Sequence, residues 1–413
     1  MPKKIADWSR RKFLKAAGVA GLGSVLSPIE HLAHAQGLSS ADESNQKVVP
    51  TRPFGKTGIN VSILGLGGAF NRSNQLLLKQ AVKMGVTYWD TAEIYAAGLS
   101  EQAIGKYFQK FPEDRKKIFL VTKPSMSARK DLTKHLEYSL ERLNTSYIDL
   151  YLIHMLSDIT WMGEDIKAWT ENAKTEGKIR FFGFSTHTNM EKCMLGAAEI
   201  GWIDGIMTSY NYRLMHTEAM KKAVNACVKA GIGLTAMKTQ AEKVAGWMGE
   251  VGEENETAVR LTERLIEKGY SLEQAKLRAV WENKKIACVC SYMTNMTVLQ
   301  ANVAAALNRT KLSSEDMGLL KRYARETAPQ YCAGCAHNCE PAINNKVPIS
   351  DVMRYLMYDH SYGESKRAKT FFKEIPSEVR ECMANIDYRT SEQKCPQKMQ
   401  IGRLMREATL KLG

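Results

Sequence analysis

From residue 51 onward the apolar positions follow two rhythms. Short runs at 62–69, 88–92, 118–123, 147–154, 180–185, 205–211, 232–237 and 286–292 are apolar almost throughout, as strands buried on both faces are. Between them, segments such as 75–84, 132–143, 165–176, 217–230 and 272–281 repeat their apolar residues at helical spacing. Eight such strands, with helices between them, predict a closed parallel (β/α)8 TIM barrel. The competing fold is an open doubly wound sheet, but no G-x-G-x-x-G turn follows the first strand.

The flanks of this pattern differ. Ahead of the first strand, residues 52–61 have the form of a short hairpin with Gly55 and Gly58 at its tip, placed to plug the barrel bottom. After the seventh strand, residues 240–256 form a long glycine- and acid-containing connection on the side where barrel enzymes shape their substrate pockets. From about Lys311 the repeats give way to helical pieces rich in Cys, Met and Tyr, which predicts a small, mostly helical, cysteine-rich domain. Within it a helix starts at Ser350-Asp351 and runs through Tyr358, and residues 401–412 read as a closing amphipathic helix. The Met and Tyr stripe of the former reads as packing around the cysteines or against the barrel.

The 413 residues are 44% apolar and 25% charged, which supplies a large core and excludes disordered, collagen-like and polytopic membrane classes. The net charge of +14 is scattered through helical patterns that also carry acids, so it describes a solvated surface and no nucleic-acid partner is expected. The N-terminus is a separate matter. Lys3, Lys4, Arg10, Arg11, Lys12 and Lys15 face a single acid, Asp7, and are followed by an apolar run at 16–26 and by Ala33-His34-Ala35, a small-x-small cleavage pattern. That run is short for a bilayer span, so no stable membrane insertion is expected. Ser9-Arg10-Arg11-Lys12-Phe13-Leu14-Lys15 resembles the twin-arginine export signal. The resemblance implies transport by the twin-arginine machinery to the periplasm and removal of residues 1–35. A linker at 36–50, the barrel at 51–310 and the cysteine-rich domain at 311–413 then remain, with a charge of +10. Because that route moves folded chains, it also implies that a cofactor is inserted before export.

Chemistry collects at the strand ends. Asp90, with Tyr95 in the following loop, Lys123 and His154 each lie at or just past the C-terminal end of a strand, and these ends converge on one mouth of a barrel. A tyrosine beside an ammonium, with a carboxylate holding the ammonium, can give a proton to a carbonyl oxygen, and the ammonium brings the phenol closer to working pH. A neutral histidine can orient that carbonyl. The surrounding text is Arg52-Pro53-Phe54-Gly55-Lys56-Thr57-Gly58, Leu64-Gly65-Leu66-Gly67, Trp89-Asp90-Thr91-Ala92-Glu93-Ile94-Tyr95 with Ser100-Glu101, and Val121-Thr122-Lys123. It continues through Ser139-Leu140-Glu141-Arg142-Leu143, Tyr147-Ile148-Asp149-Leu150-Tyr151-Leu152-Ile153-His154 and Glu176-Gly177-Lys178-Ile179-Arg180, and over roughly 250 residues it resembles the aldo-keto reductase family.

This resemblance implies a catalytic set of Asp90, Tyr95, Lys123 and His154, an NADP or NAD cofactor, and a small carbonyl or alcohol substrate. The cofactor half departs from the family. Ser185-Thr186-His187 stands where Ser-Asn is usual, Met207 stands where a Gln precedes Tyr210-Asn211, and residues 291–295 contain no Lys or Arg. The positions left to hold a nucleotide are Ser185, Thr186, Met207, Tyr210, Lys238, Ser291, Gln300 and Asn302, and they do not separate NADPH from NADH.

Of nine cysteines, Cys193, Cys227, Cys288 and Cys290 sit in barrel patterns and read as packing residues. Cys332, Cys335, Cys339 and Cys395, the last followed by Pro396, resemble half of a two-cluster bacterial ferredoxin arrangement, which implies one 4Fe-4S cluster. Cys382 is the alternative fourth ligand. Structural zinc using these cysteines or His337, and disulfides, are the other readings of the spacing. Two functions follow: a carbonyl reductase or alcohol dehydrogenase with an accessory cluster and a possible redox partner protein, or a cluster-bearing electron-transfer protein on a barrel without hydride chemistry.

Overall fold

The chain enters its fold through an antiparallel hairpin, β1 (Thr51–Pro53) and β2 (Asn60–Ser62), and then builds eight parallel strands. These are β3 (Leu64–Gly67), β4 (Tyr88–Asp90), β5 (Phe119–Thr122), β6 (Ile148–Ile153), β7 (Ile179–Thr186), β8 (Gly205–Ser209), β9 (Gly233–Met237) and β10 (Cys288–Tyr292), and β10 returns to pair with β3 and close the barrel. The computed structural model describes residues 48–413 apart from 69, 72–73, 126–130, 242–243, 245–255 and 309. The export signal therefore lies outside the described residues, as does nearly all of the 240–256 connection.

Each predicted strand segment coincides with one barrel strand; β7 extends one residue beyond its segment at each end, and where ends are trimmed two have side-chain causes. The run at 62–69 is broken at its start because the Ser62 hydroxyl donates to the Leu64 carbonyl (2.8 Å) and accepts from the Thr87 and Tyr88 amides. β8 stops at Ser209 because Asn211 folds its side-chain oxygen back onto the amides of Arg213 (3.0 Å) and Leu214 (3.3 Å), which starts a turn.

The bottom of the barrel is filled as the sequence led us to expect. Phe54, fully buried, projects from the hairpin into the interior against Tyr88 and Phe119, with ring centroids 6.3 and 5.4 Å away. Gly205 and Gly233 make room for it, since a Cβ at either would stand 2.9 or 2.5 Å from that ring. Arg52 locks the hairpin by donating to the carbonyls of Trp281 (2.7 Å), Ile286 (2.9 Å) and Asn283 (3.3 Å).

After the barrel the core changes later than the composition does. Leu312, Leu319, Leu320 and Tyr331 pack in the outer core of the barrel, so helix Ser314–Glu326 belongs with it rather than with the cysteine-rich segment. Asp316 fastens that helix by capping its N-terminus with Ser313 and by binding Arg264 and Lys268 of helix Glu256–Glu267. A second core begins with Cys332 and Cys339 and gathers helices Ile349–His360, Ser365–Lys373 and Ile401–Leu412. It sits on the mouth of the barrel. Thr188, after β7, meets Ser350 at 3.1 Å, and the Asn189 amide donates to Gly334 at 2.8 Å while Asn189 Oδ1 accepts from the His337 amide at 3.0 Å. Among the described residues no helix is long and apolar enough to cross a membrane.

Replacing Phe54 by Ala removes the bottom plug without giving its neighbours a way to collapse. Urea denaturation should show a loss of about 3–5 kcal/mol, the usual cost of deleting a buried aromatic ring.

Candidate active site

Parallel pairing sets the ends of β4, β5 and β6 side by side, since Asp90 is in register with Val121 and Val121 with Leu150. Asp90, Lys123 and His154 therefore meet at the mouth, 4%, 1% and 5% exposed. The Lys123 ammonium donates to Asp90 Oδ1 at 2.5 Å and to the Thr91 carbonyl at 2.8 Å. It lies 5.2 Å from the centroid of the Tyr95 ring, and the His154 ring stands edge-on to the same ring at 5.9 Å. Tyr95 is carried by a tight turn, Tyr95–Gly98, in which Ala96 and Ala97 both hold left-handed backbone (φ 51° and 53°). Such backbone costs about 1–3 kcal/mol per residue and persists only where the surroundings hold it.

Burial and charge then set the protonation states. Burial works against the Lys123 charge, but Asp90 and Tyr95 outweigh it and hold the ammonium above its ordinary range. Burial raises the Asp90 carboxyl, with Lys123 and a hydrogen bond from Cys290 pulling it down. Cys290 is thus a partner of Asp90 rather than plain packing. Tyr95 corrects the sequence expectation: burial raises its phenol, and Lys123 and Arg367 only partly offset this, so the hydroxyl keeps its proton. His154 is pushed well below its ordinary value by burial and then by Lys123, Arg367 and Arg354, so it is neutral, and its Nδ1 is buried with no partner among the described residues.

The mouth has a roof that the barrel sequence does not reveal. Arg367, from helix Ser365–Lys373, places its guanidinium 5.3 Å from the Tyr95 ring centroid and 4.7 Å from that of Tyr358. Arg354 and Tyr358 come from helix Ile349–His360. A narrow cavity of about 30 Å³ remains between roof and barrel, lined by His187, Ser209, Lys238, Tyr331, Cys332 and Arg354 among others. His187 Nδ1 and Ser209 Oγ are 3.2 Å apart. Arg354 is hidden in the sequence within the Met and Tyr stripe of its helix, where the available signal is an arginine on the buried side, and Arg367 lies in a helix, Ser365–Lys373, that is not among the predicted elements.

Of the residues expected to hold a nucleotide, only Lys238 lines this cavity. The Ser185 hydroxyl accepts from the Met155 amide at 3.0 Å and so fixes the loop behind His154. Thr186 donates to the Thr188 carbonyl at 3.1 Å. Met207 shares the inward face of β8 with Ser209 but lies two residues earlier, so it fills the barrel interior while Ser209 reaches the mouth, and Tyr210 is buried with its hydroxyl accepting from Asn283 Nδ2 at 2.7 Å. Ser291 and Asn302 bond to each other at 3.0 Å, and Gln300 is exposed. The polar pair His187 and Ser209 suits an amide such as a nicotinamide carboxamide, and Lys238 suits a phosphate. The loop after β10 offers no cation to a 2′-phosphate.

A second cavity, of about 20 Å³, brings together Cys332, Cys335, Cys339 and Cys395. Cys382 is exposed and lies outside it. All nine cysteines are free thiols. Burial pushes the Cys332 thiol up to about 12, so a metal entering here must displace protons. Among the described residues no three or more His, Cys, Asp or Glu side chains are grouped closely enough to hold a single metal ion. His337 Nδ1 is engaged by Asn189 Oδ1 at 3.0 Å. Zinc bound directly by these side chains is therefore not favoured, because its sulfurs must close to within about 4 Å of one another.

Comparison with known proteins extends the picture. Residues 64–325 match the sequence model of the Aldo/keto reductase family. An aldo-keto reductase of Fusarium vanettenii is 27% identical over 242 residues, covering 48% of this chain and 65% of its own length. Aldo-keto reductase yakc (NADP(+)) of Schizosaccharomyces pombe is 33% identical over 156 residues, covering 33% of this chain and 45% of its own. The chain thus spans less than two thirds of the length of these curated relatives. An aldo-keto reductase from Klebsiella pneumoniae, solved in complex with NADPH, has a TM-score of 0.54 and 23% identity and covers 67% of this chain and 95% of its own, a likeness that establishes the shared fold.

Replacing Lys123 by Met leaves the Asp90 carboxylate buried and unpaired. Thermal and denaturant unfolding should show a loss of about 3–5 kcal/mol, and a second change, Asp90→Asn in the same chain, should restore part of it.

Proposed function

The chain belongs to the aldo/keto reductase family, and from that premise we propose that it is an oxidoreductase that reduces small carbonyl compounds with a nicotinamide nucleotide. The observation that carries this reading is the Tyr95 ring packed against both the buried Lys123–Asp90 pair and the edge of the His154 ring. Bound in the cavity, the nucleotide supplies a hydride. His187, Ser209 and Lys238 hold it, the first two toward its amide and the third toward a phosphate. The substrate carbonyl accepts a hydrogen bond from Tyr95, and His154 orients it from the other side. As negative charge grows on the carbonyl oxygen, Tyr95 gives up its proton, and the Lys123 ammonium stabilises the phenolate left behind. A tyrosine that keeps its proton favours reduction over the reverse alcohol oxidation.

We propose also that Cys332, Cys335, Cys339 and Cys395 hold a 4Fe-4S cluster, supported by their meeting on one apolar cavity. Such a cluster supplies one-electron transfer, which calls for a redox partner protein. The sequence of residues 9–15 and 33–35 supports export by the twin-arginine route to the periplasm with loss of residues 1–35. A second reading, a cluster-bearing electron-transfer protein without hydride chemistry, is favoured by Met207 and Tyr210 lying away from the cavity.

Fluorescence titration with NADPH and NADH separates the two readings: micromolar saturation belongs to the first, and no binding to the second. Tyr95→Phe should lower kcat for an aldehyde by about 10²–10⁴-fold with little change in nucleotide affinity. Because burial raises the phenol, wild-type kcat should hold to about pH 10 and fall only above it, as Tyr95 loses its proton. Protein purified without oxygen should contain iron and sulfide and absorb broadly in the visible, and Cys332→Ser should remove both; iron-free wild-type protein would overturn the cluster assignment.

A further inference from the structure

The mouth holds more positive than negative charge. Lys238 comes from the barrel, and Arg354 and Arg367 come from the roof helices. Two carboxylates answer them among the described residues: Asp351, 3.1 Å from Arg354, and Glu364, 2.8 Å from Arg367. Lys238 has no ion pair among the described residues; its amine stands 5.0 Å from the Tyr358 ring centroid, the same ring that carries Arg367, and burial together with Arg354 and Arg367 holds it well below its ordinary value, a penalty that an incoming oxyanion relieves. His154 and His187 beside them are neutral, and the Lys123 charge is already answered by Asp90.

Arg354 is the telling residue. It is 8% exposed, it lines the cavity, and its Nε is buried with no hydrogen-bond partner among the described residues. Asp351 takes one edge of this guanidinium and leaves Nε without an acceptor, and the planar fork suits a carboxylate or phosphate that brings one. Arg354 and Arg367 lie outside the stretch 64–325 shared with the family, so they are additions to the common barrel. Arg367 reaches the Tyr95 ring, Arg354 and Lys238 line the cavity, and both arginines act on His154, so these groups surround one mouth.

We infer that the substrate is a carbonyl compound that also carries an oxyanion, a carboxylate or a phosphate, held by Arg354 and Arg367 with its carbonyl at Tyr95. This rests on the carbonyl chemistry proposed above for the far end of the molecule. The diphosphate of a nucleotide is the other source of the same oxyanion, and the test separates the two.

Isothermal titration calorimetry of the full chain, without nucleotide and at low salt, compares 4-formylbenzoate with its neutral isostere 4-formylbenzamide. The acid should bind roughly ten- to a hundredfold more tightly, the range of one or two charge-assisted hydrogen bonds. Arg354→Met and the more exposed Arg367→Met should each move that ratio toward one, and Arg354→Lys should keep part of it. Equal affinities in the wild-type protein overturn the inference, as does a ratio that survives in the variants. If the variants weaken NADPH binding and leave the ratio untouched, the oxyanion is the diphosphate of the nucleotide and the substrate assignment falls. Tight, arginine-dependent binding of the acid without turnover by Tyr95 would sustain this inference and remove the reductase reading instead. Should Arg354→Met fail to fold, as circular dichroism would show, Arg367→Met and Arg354→Lys decide the question.

Discussion

Lys123 is 1% exposed, and it keeps its charge there because Asp90 lies 2.5 Å away and the Thr91 carbonyl takes a second proton. An unpaired ammonium in that position would shed its proton or draw water into the barrel. The pairing in turn needs β4 and β5 in register and the interior below them filled, which is the work of Phe54, Tyr88 and Phe119. Tyr95 and His154 take their protonation states from the same charge and from the burial around it. The plug at one end of the barrel and the chemistry at the other are therefore parts of one arrangement.

The roof adds a second field. Arg354, Arg367 and Lys238 all bear on the mouth, and both His154 and His187 are driven neutral partly by them. The same roof carries the cysteines. Cys332, Ala333, Ser350 and Met353 belong to the walls of both cavities, so the cysteine pocket and the barrel mouth are separated by single side chains. Whatever occupies one cavity is felt at the wall of the other.

Much of this was legible in the sequence. The eight strands could be read because parallel strands buried on both faces are nearly pure apolar runs, and Asp90, Lys123 and His154 stood out because they interrupt or end such runs. Cys395 could be joined to Cys332, Cys335 and Cys339 by spacing, and the fold brings it to them while leaving Cys382 outside. The nucleotide side was less legible. Met207 and Ser209 share the inward face of β8 and differ only in depth, which a run of uniformly buried residues does not report. Arg354 and Arg367 were hidden for a related reason, since their role depends on helices docking over a distant mouth, a long-range event that local periodicity does not encode. The end of the barrel core was displaced past Lys311 because helix Ser314–Glu326 packs outward on the barrel despite its changed composition.

The contact between Thr188 and Ser350 joins residues 162 positions apart, whereas neighbouring barrel strands from β3 to β10 follow one another along the chain. Short-range pairings close early and long-range ones late, so β3 to β10 line up in order, while the pairing that shuts the barrel, Val289 with Leu64, reaches farther along the chain than the contact that seats the cover. Synthesis runs in the same direction, with the cover made last. A molecule destined for the mouth thus meets an open cup first and a closed one afterwards, and once the cover has settled its departure depends on how often Asn189 lets go of Gly334 and His337.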